Sequence, residues 1–148
     1  MNFIKKHLKN EKGLTLIELL AVVVILGIIA AIAIPSIGGL IDNSKKDAHA
    51  GNAQQMINSA KLWVSAHSTD DTFTGSKNLT LKDMYDDNLL DTIDDPDGGT
   101  YSQTGSFVAI AKSGNAYTYT VTLTNSTRGV FAKTGKMTRS KVTEVAKP

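Results

Sequence analysis

From residue 19 to residue 41 the chain carries no charged side chain. A helix rises about 1.5 Å per residue, so this stretch just exceeds the ~30 Å hydrocarbon core of a bilayer. Lys5, Lys6, Lys9 and Lys12 precede it, with Glu11 among them. The positive-inside rule keeps that end in the cytoplasm and sends the rest of the chain outward. Hydrophobic residues fill 21 of the 28 positions from 14 to 41, but only 36 of the 107 that follow. A third is low for a self-sufficient globule. The sequence is an apolar segment joined to a polar one, and the polar part must borrow apolar surface.

Three readings fit an apolar run behind a basic start. One is an ordinary secretory signal peptide, with Ala31-Ile32-Ala33 as its cleavage site. The second is a plain membrane anchor. The third treats residues 1–13 as a leader and keeps the apolar helix. Glu18 separates them. A carboxylate at mid-bilayer costs roughly 2.5–3.5 kcal/mol on insertion scales, and less near the interface. Neither a signal peptide nor a plain anchor has use for it, so an ionisable residue there is a functional candidate.

The string Lys12-Gly13-Leu14-Thr15-Leu16-Ile17-Glu18-Leu19-Leu20 resembles the processing motif of type IV prepilins. The resemblance covers about residues 5–35. It implies that a membrane prepilin peptidase cuts between Gly13 and Leu14 and methylates the new amine of Leu14. Leu14 departs from the Phe usual at that place. Glu18 becomes the fifth mature residue. Gly27 and Pro35 match positions where helices of that family commonly carry Gly and Pro. The chemistry agrees. The freed amine is protonated at neutral pH, and a buried carboxylate needs a positive partner. Leu14 and Glu18 are i,i+4 neighbours in one helix. Between stacked helices, Glu18 of one subunit meets the Leu14 amine of the next only at the right axial offset, which sets the assembly register.

A helical pattern runs on past the membrane segment. Ile37, Ile41, Ala48, Met56, Ala60 and Trp63 lie on or near one stripe, widened by Ala53, Ile57 and Val64. The pattern ends near residues 67–70. Trp63 reads as core beneath a sheet. Pro35 in a helix interior costs ~3 kcal/mol, and with Gly27 it predicts a kink or a meltable segment between them.

Residues 68–78 read as a loop. Thr80-Leu81-Lys82-Asp83 resembles a capping start for a short helix over residues 80–89. Strand patterns follow: the apolar run at 107–111, the Ser113-Gly114-Asn115 turn, and alternation of Tyr117, Tyr119, Val121 and Leu123 with threonines. The expectation is α+β, a pilin-like lollipop: a long N-terminal α-helix whose C-terminal half packs on a three- to four-stranded antiparallel sheet. Its parts are a leader (1–13), a hydrophobic transmembrane and assembly helix (14–41), and a helix continuation with a globular α+β head (42–148).

Nothing in the sequence suggests an enzyme. The absence of Cys excludes a disulfide, a thiolate zinc site and a Cys nucleophile. His49 and His67 lack metal-ligand spacing and read as solvated, and His7 belongs to the leader. No cofactor is expected. Asp94, Asp95 and Asp97 beside Gly98 and Gly99 offer carboxylate oxygens for calcium, but Asp-Pro-Asp-Gly is also an ordinary turn, the stronger reading.

Charge is divided. Nine acidic residues fall between residues 70 and 97, and seven basic ones between 112 and 148. A candidate basic patch is Arg128, Lys133, Lys136, Arg139 and Lys141. It reads first as solvated surface or as a complement to the acidic edge of another subunit, and last as a DNA contact. The aromatic interleaving that single-stranded DNA wants is sparse along the chain.

The function expected is a filament-forming pilin of a type IV pilus, serving adhesion, motility or DNA uptake. Its partners are copies of itself, the prepilin peptidase, the pilus assembly machinery and the membrane. It would sit in the cytoplasmic membrane by a single pass with the head outside, then move to an extracellular filament. Members of the family it resembles often close the C-terminal region with a disulfide, so for a chain without Cys the resemblance implies a Gram-positive source. Alternatives are a pseudopilin of a type II secretion or competence system and a secreted soluble domain. Losing the leader removes +3, so the formal +2 becomes −1 for residues 14–148.

Overall fold

A computed structural model describes residues 15–69, 73, 75–133 and 135–144. The chain divides into two compact units, Met1–Ile41 and Asp42–Pro148. Helix α1, Leu16–His67, supplies residues to both.

In the first unit every large apolar side chain of α1, from Leu16 through Ile41, is exposed. Its most apolar window has a mean hydropathy of 3.0, long and apolar enough to cross a membrane. A helix apolar all round has to be surrounded by lipid or by other helices. Helical structure continues through Gly27 and Pro35. Near the proline, Ser36 Oγ donates to the Ile32 carbonyl at 3.2 Å.

The second unit is an antiparallel sheet with the later part of α1 packed on it. The elements after α1 are β1 (Ser76–Thr80), α2 (Leu81–Asp86), β2 (Phe107–Ser113), β3 (Ala116–Thr124), β4 (Arg128–Lys133), a 3-10 turn (Arg139–Lys141) and β5 (Val142–Glu144). The strands lie side by side in chain order. Register places Leu79, Val108 and Val121 in one row, and Leu123, Val130 and Val142 in another. All six are buried. Against them α1 presents Ala50, Ala53, Met56, Ile57, Ala60, Trp63 and Val64. This is the borrowed apolar surface that the polar sequence lacks. Ala53 and Ala60 are fully buried in this layer.

The stripe starts one residue later than expected. Ala48 is exposed, and the inward place goes to His49 and Ala50. His49 is 2% exposed, which corrects its reading as a solvated histidine; its ring is held by hydrogen bonds described below. His67 is half-buried, stacked on Trp63 with ring centroids 4.2 Å apart.

The sheet has five strands, not three or four. The missed strand is β1, in a stretch read as loop. Of its five residues only Leu79 is buried, because it is an edge strand with one neighbour. Such a strand lacks the alternation that marks a half-buried one. At the other edge, β5 is three residues long and follows the 3-10 turn. The short helix is Leu81–Asp86, stopped by Asn88 in left-handed backbone at φ 52°. Thr80 caps it: its hydroxyl accepts from Asp83 N–H at 3.1 Å, and the Asp83 carboxylate accepts from Thr80 N–H at 3.0 Å. Gly114, at φ 61°, makes the two-residue turn closed by Ser113 and Ala116.

Candidate functional site

The processing residues Gly13 and Leu14 lie outside the described residues. The site is visible from Thr15 on. Thr15 N–H donates to Glu18 Oε2 at 2.8 Å, and the Thr15 carbonyl accepts from Glu18 N–H at 2.8 Å. Thr15 is thus the N-cap of α1, with Glu18 at the third helical position reaching back to it. A helix start leaves its first N–H groups without helical partners, and a carboxylate there also meets the positive end of the helix dipole. Sequence reasoning missed this local role, although Thr15-Leu16-Ile17-Glu18 has the Thr-x-x-Glu spacing of a capping box.

In the second unit the residues singled out for calcium or for a basic patch are distributed differently from their order in the chain. Asp95 and Asp97 come together with His49, their ligand atoms all within 4.8 Å of one another. Asp94 stays exposed and gives only its backbone carbonyl, to Asn52 Nδ2 at 2.9 Å. His49 Nδ1 lies 2.7 Å from the Tyr101 hydroxyl, and Nε2 lies 2.9 Å from Asp97 Oδ2. Asn52 donates to the same hydroxyl at 3.0 Å. Burial pushes the Tyr101 hydroxyl up to about 12, raised further by Asp95 and Asp97 and opposed by the Asn52 bond. The hydroxyl therefore stays protonated, and both ring nitrogens of His49 are in hydrogen-bond contact.

Asn125 closes the group. Its Nδ2 donates to both Asp95 oxygens at 2.9 Å and to Asp97 Oδ2 at 3.2 Å, and its Oδ1 accepts from Thr127 and Arg128 N–H. Arg128 Nε is 3.4 Å from Asp97 Oδ2, and its Nη2 is 2.6 Å from Asp42 Oδ1. Lys45 Nζ stands 3.7 Å from Asp97 Oδ1. Burial raises the Asp97 carboxyl, but hydrogen bonds from His49 and Asn125 and the charge of Arg128 outweigh it, leaving it below the ordinary carboxylate value. Calcium takes oxygen ligands. Here one of three donors is an imidazole nitrogen, and Arg128 and Lys45 already bring positive charge to Asp97. The group suits an internally satisfied clamp between helix and sheet better than it suits calcium.

Among the described side chains of the basic set, the two arginines are engaged with acids. Arg128 is drawn inward, its side chain 12% exposed. Arg139 forks onto Asp47, with Nε 2.9 Å from Oδ1 and Nη2 bonded to Oδ2. Both arginines therefore meet carboxylates of α1. Lys136 and Lys141 are exposed, and the Lys133 side chain lies outside what the structure describes. Trp63 is 8% exposed and packs in the core.

Residues 8–34 match a family model described as the prokaryotic N-terminal methylation motif. The match runs through the basic stretch, Gly13, Leu14, Glu18 and the first part of α1. It is the prepilin-type signature. No solved structure matches the chain.

Proposed function

We propose that this chain, a prepilin-type protein by its methylation signature, is a structural subunit of a type IV pilus. The peptidase removes residues 1–13 and methylates Leu14. The mature subunit waits in the membrane by the apolar part of α1 and is then drawn into a helical fibre. There the apolar helices replace lipid with one another, and the sheet-bearing unit lies on the outside. The carrying observation is the combination of that signature with a helix whose large apolar side chains are all exposed from Leu16 through Ile41. Such a surface is unstable in water and calls for a partner over its whole circumference.

Glu18 fits the register role. Its carboxylate already sits at the start of the helix, accepting from Thr15 N–H. In a neighbour's apolar surroundings it gains most from a full positive charge, and a methylated Leu14 amine provides one. A pseudopilin would share these features and differ in the length of fibre made.

The test is mass spectrometry of filaments sheared from the cell surface. The expected result is this chain, abundant in the fibre fraction and beginning at N-methylated Leu14. A mature chain beginning at Ile34 would mean ordinary signal-peptide cleavage and end the reading. A chain beginning at Leu14 but absent from sheared filaments would favour a short pseudopilus.

A further inference from the structure

Between α1 and the start of β3 lies a cavity of about 490 Å³. This is within the ~300–1,000 Å³ range of small-ligand pockets. Gln54, Ile57 and Lys61 of α1, Tyr117 and Tyr119 of β3, and Gly135 and Lys136 of the connection after β4 line it. Among the described residues two ammonium groups border it and no carboxylate does. Among the described residues neither Lys61 nor Lys136 is in an ion pair. Five acids of the unit are engaged elsewhere: Asp42 and Asp47 with the arginines, Asp86 with Lys82, Asp95 and Asp97 in the clamp.

The surroundings strengthen the positive field. Lys61 Nζ lies 5.8 Å from the centroid of Tyr119, Lys112 Nζ 5.8 Å from Tyr117, and Lys77 Nζ 5.2 Å from Trp63. Phe73 joins Trp63 to Tyr117, at 5.5 and 5.8 Å. Lysine ammoniums from four separated stretches of sequence are thus gathered round one end of the sheet, three of them held over aromatic rings.

We propose that this cavity binds an anionic saccharide unit, a sugar ring bearing a carboxylate or a phosphate. Lys61 and Lys136 meet the anion. The Tyr117 and Tyr119 hydroxyls and the Gln54 amide are the kinds of group that bond sugar hydroxyls, and Ile57 gives an apolar contact for the ring's C–H face. A nucleic-acid strand would need open ring faces on which bases stack. Here the lysines stand over the Tyr119, Tyr117 and Trp63 rings, and His67 stacks on Trp63. The binding needs no fibre, so it stands or falls apart from the pilus reading.

The experiment uses the full 148-residue chain in detergent micelles and titration calorimetry. The probes are trigalacturonate, glucose 6-phosphate, neutral galactotriose and a single-stranded oligothymidylate. Saturable binding of trigalacturonate or glucose 6-phosphate is expected, and which of the two binds tells carboxylate from phosphate. Galactotriose should bind at least roughly tenfold more weakly, as should the acidic probe to Lys61→Gln and Lys136→Gln, each lacking one charge-assisted contact. Both lysines are exposed, so the variants should keep the wild-type melting temperature, and Lys141→Gln should bind as wild type. No binding by either acidic probe, equal binding of galactotriose, an equal loss in Lys141→Gln, or tighter binding of oligothymidylate would each overturn the proposal.

Discussion

At the scale of residues, the clamp around His49 joins stretches far apart in the chain. Its bonds span 52 residues to Tyr101 and 48 to Asp97. Removing one member leaves its partners buried with unmet hydrogen bonds, each costing about 1–3 kcal/mol. His49→Ala should therefore destabilise the chain by roughly 2–4 kcal/mol, and Tyr101→Phe by about 1–3 kcal/mol, measured by chemical denaturation. Asp97 adds a pH signature. Its folded-state value is depressed below that of the unfolded chain, about 3.9. Its contribution is then full above that pH and is lost as pH falls through the depressed value. Melting temperatures followed from pH 6 to below 4 should fall more steeply for wild type than for Asp97→Asn, and the two curves should converge at the acid end.

At the scale of elements, the reciprocal cap on α2 is what starts a helix of only six residues. Thr80→Ala removes the hydroxyl that holds Asp83 N–H and should cost about 1 kcal/mol. Thr80→Ser should keep most of it, and a pair of denaturation curves distinguishes them. This cap was legible in the sequence, because capping is a relation across three residues. So was β3, because Tyr117, Tyr119, Val121 and Leu123 alternate with threonines as a half-buried strand must. Strand β1 was not legible. Its pairing with β2 is fixed by backbone hydrogen bonds, and an edge strand buries too little for its side chains to record them.

At the scale of the whole molecule, one substitution can separate the cap that Glu18 forms from the register role proposed for it. Glu18→Gln keeps an oxygen to accept from Thr15 N–H but loses the charge. The helix start should survive, and the membrane-resident chain should still begin at Leu14. The yield of sheared filament should drop at least roughly tenfold, the loss of a buried charge partner. If Glu18 serves only as a cap, fibre yield will stay at the wild-type level. Sequence alone settled the apolar run, the basic start, the methylation motif and the α+β class, because each is written in neighbouring residues or short periods. Only the tertiary structure decided that His49 is buried, that Arg128 and Arg139 belong to aspartates on α1, and that Lys61 and Lys136 border one cavity. Those pairings cross up to 92 residues of chain. Where a polar side chain finds its partner depends on which helix face and strand rows close over it, and no local pattern carries that.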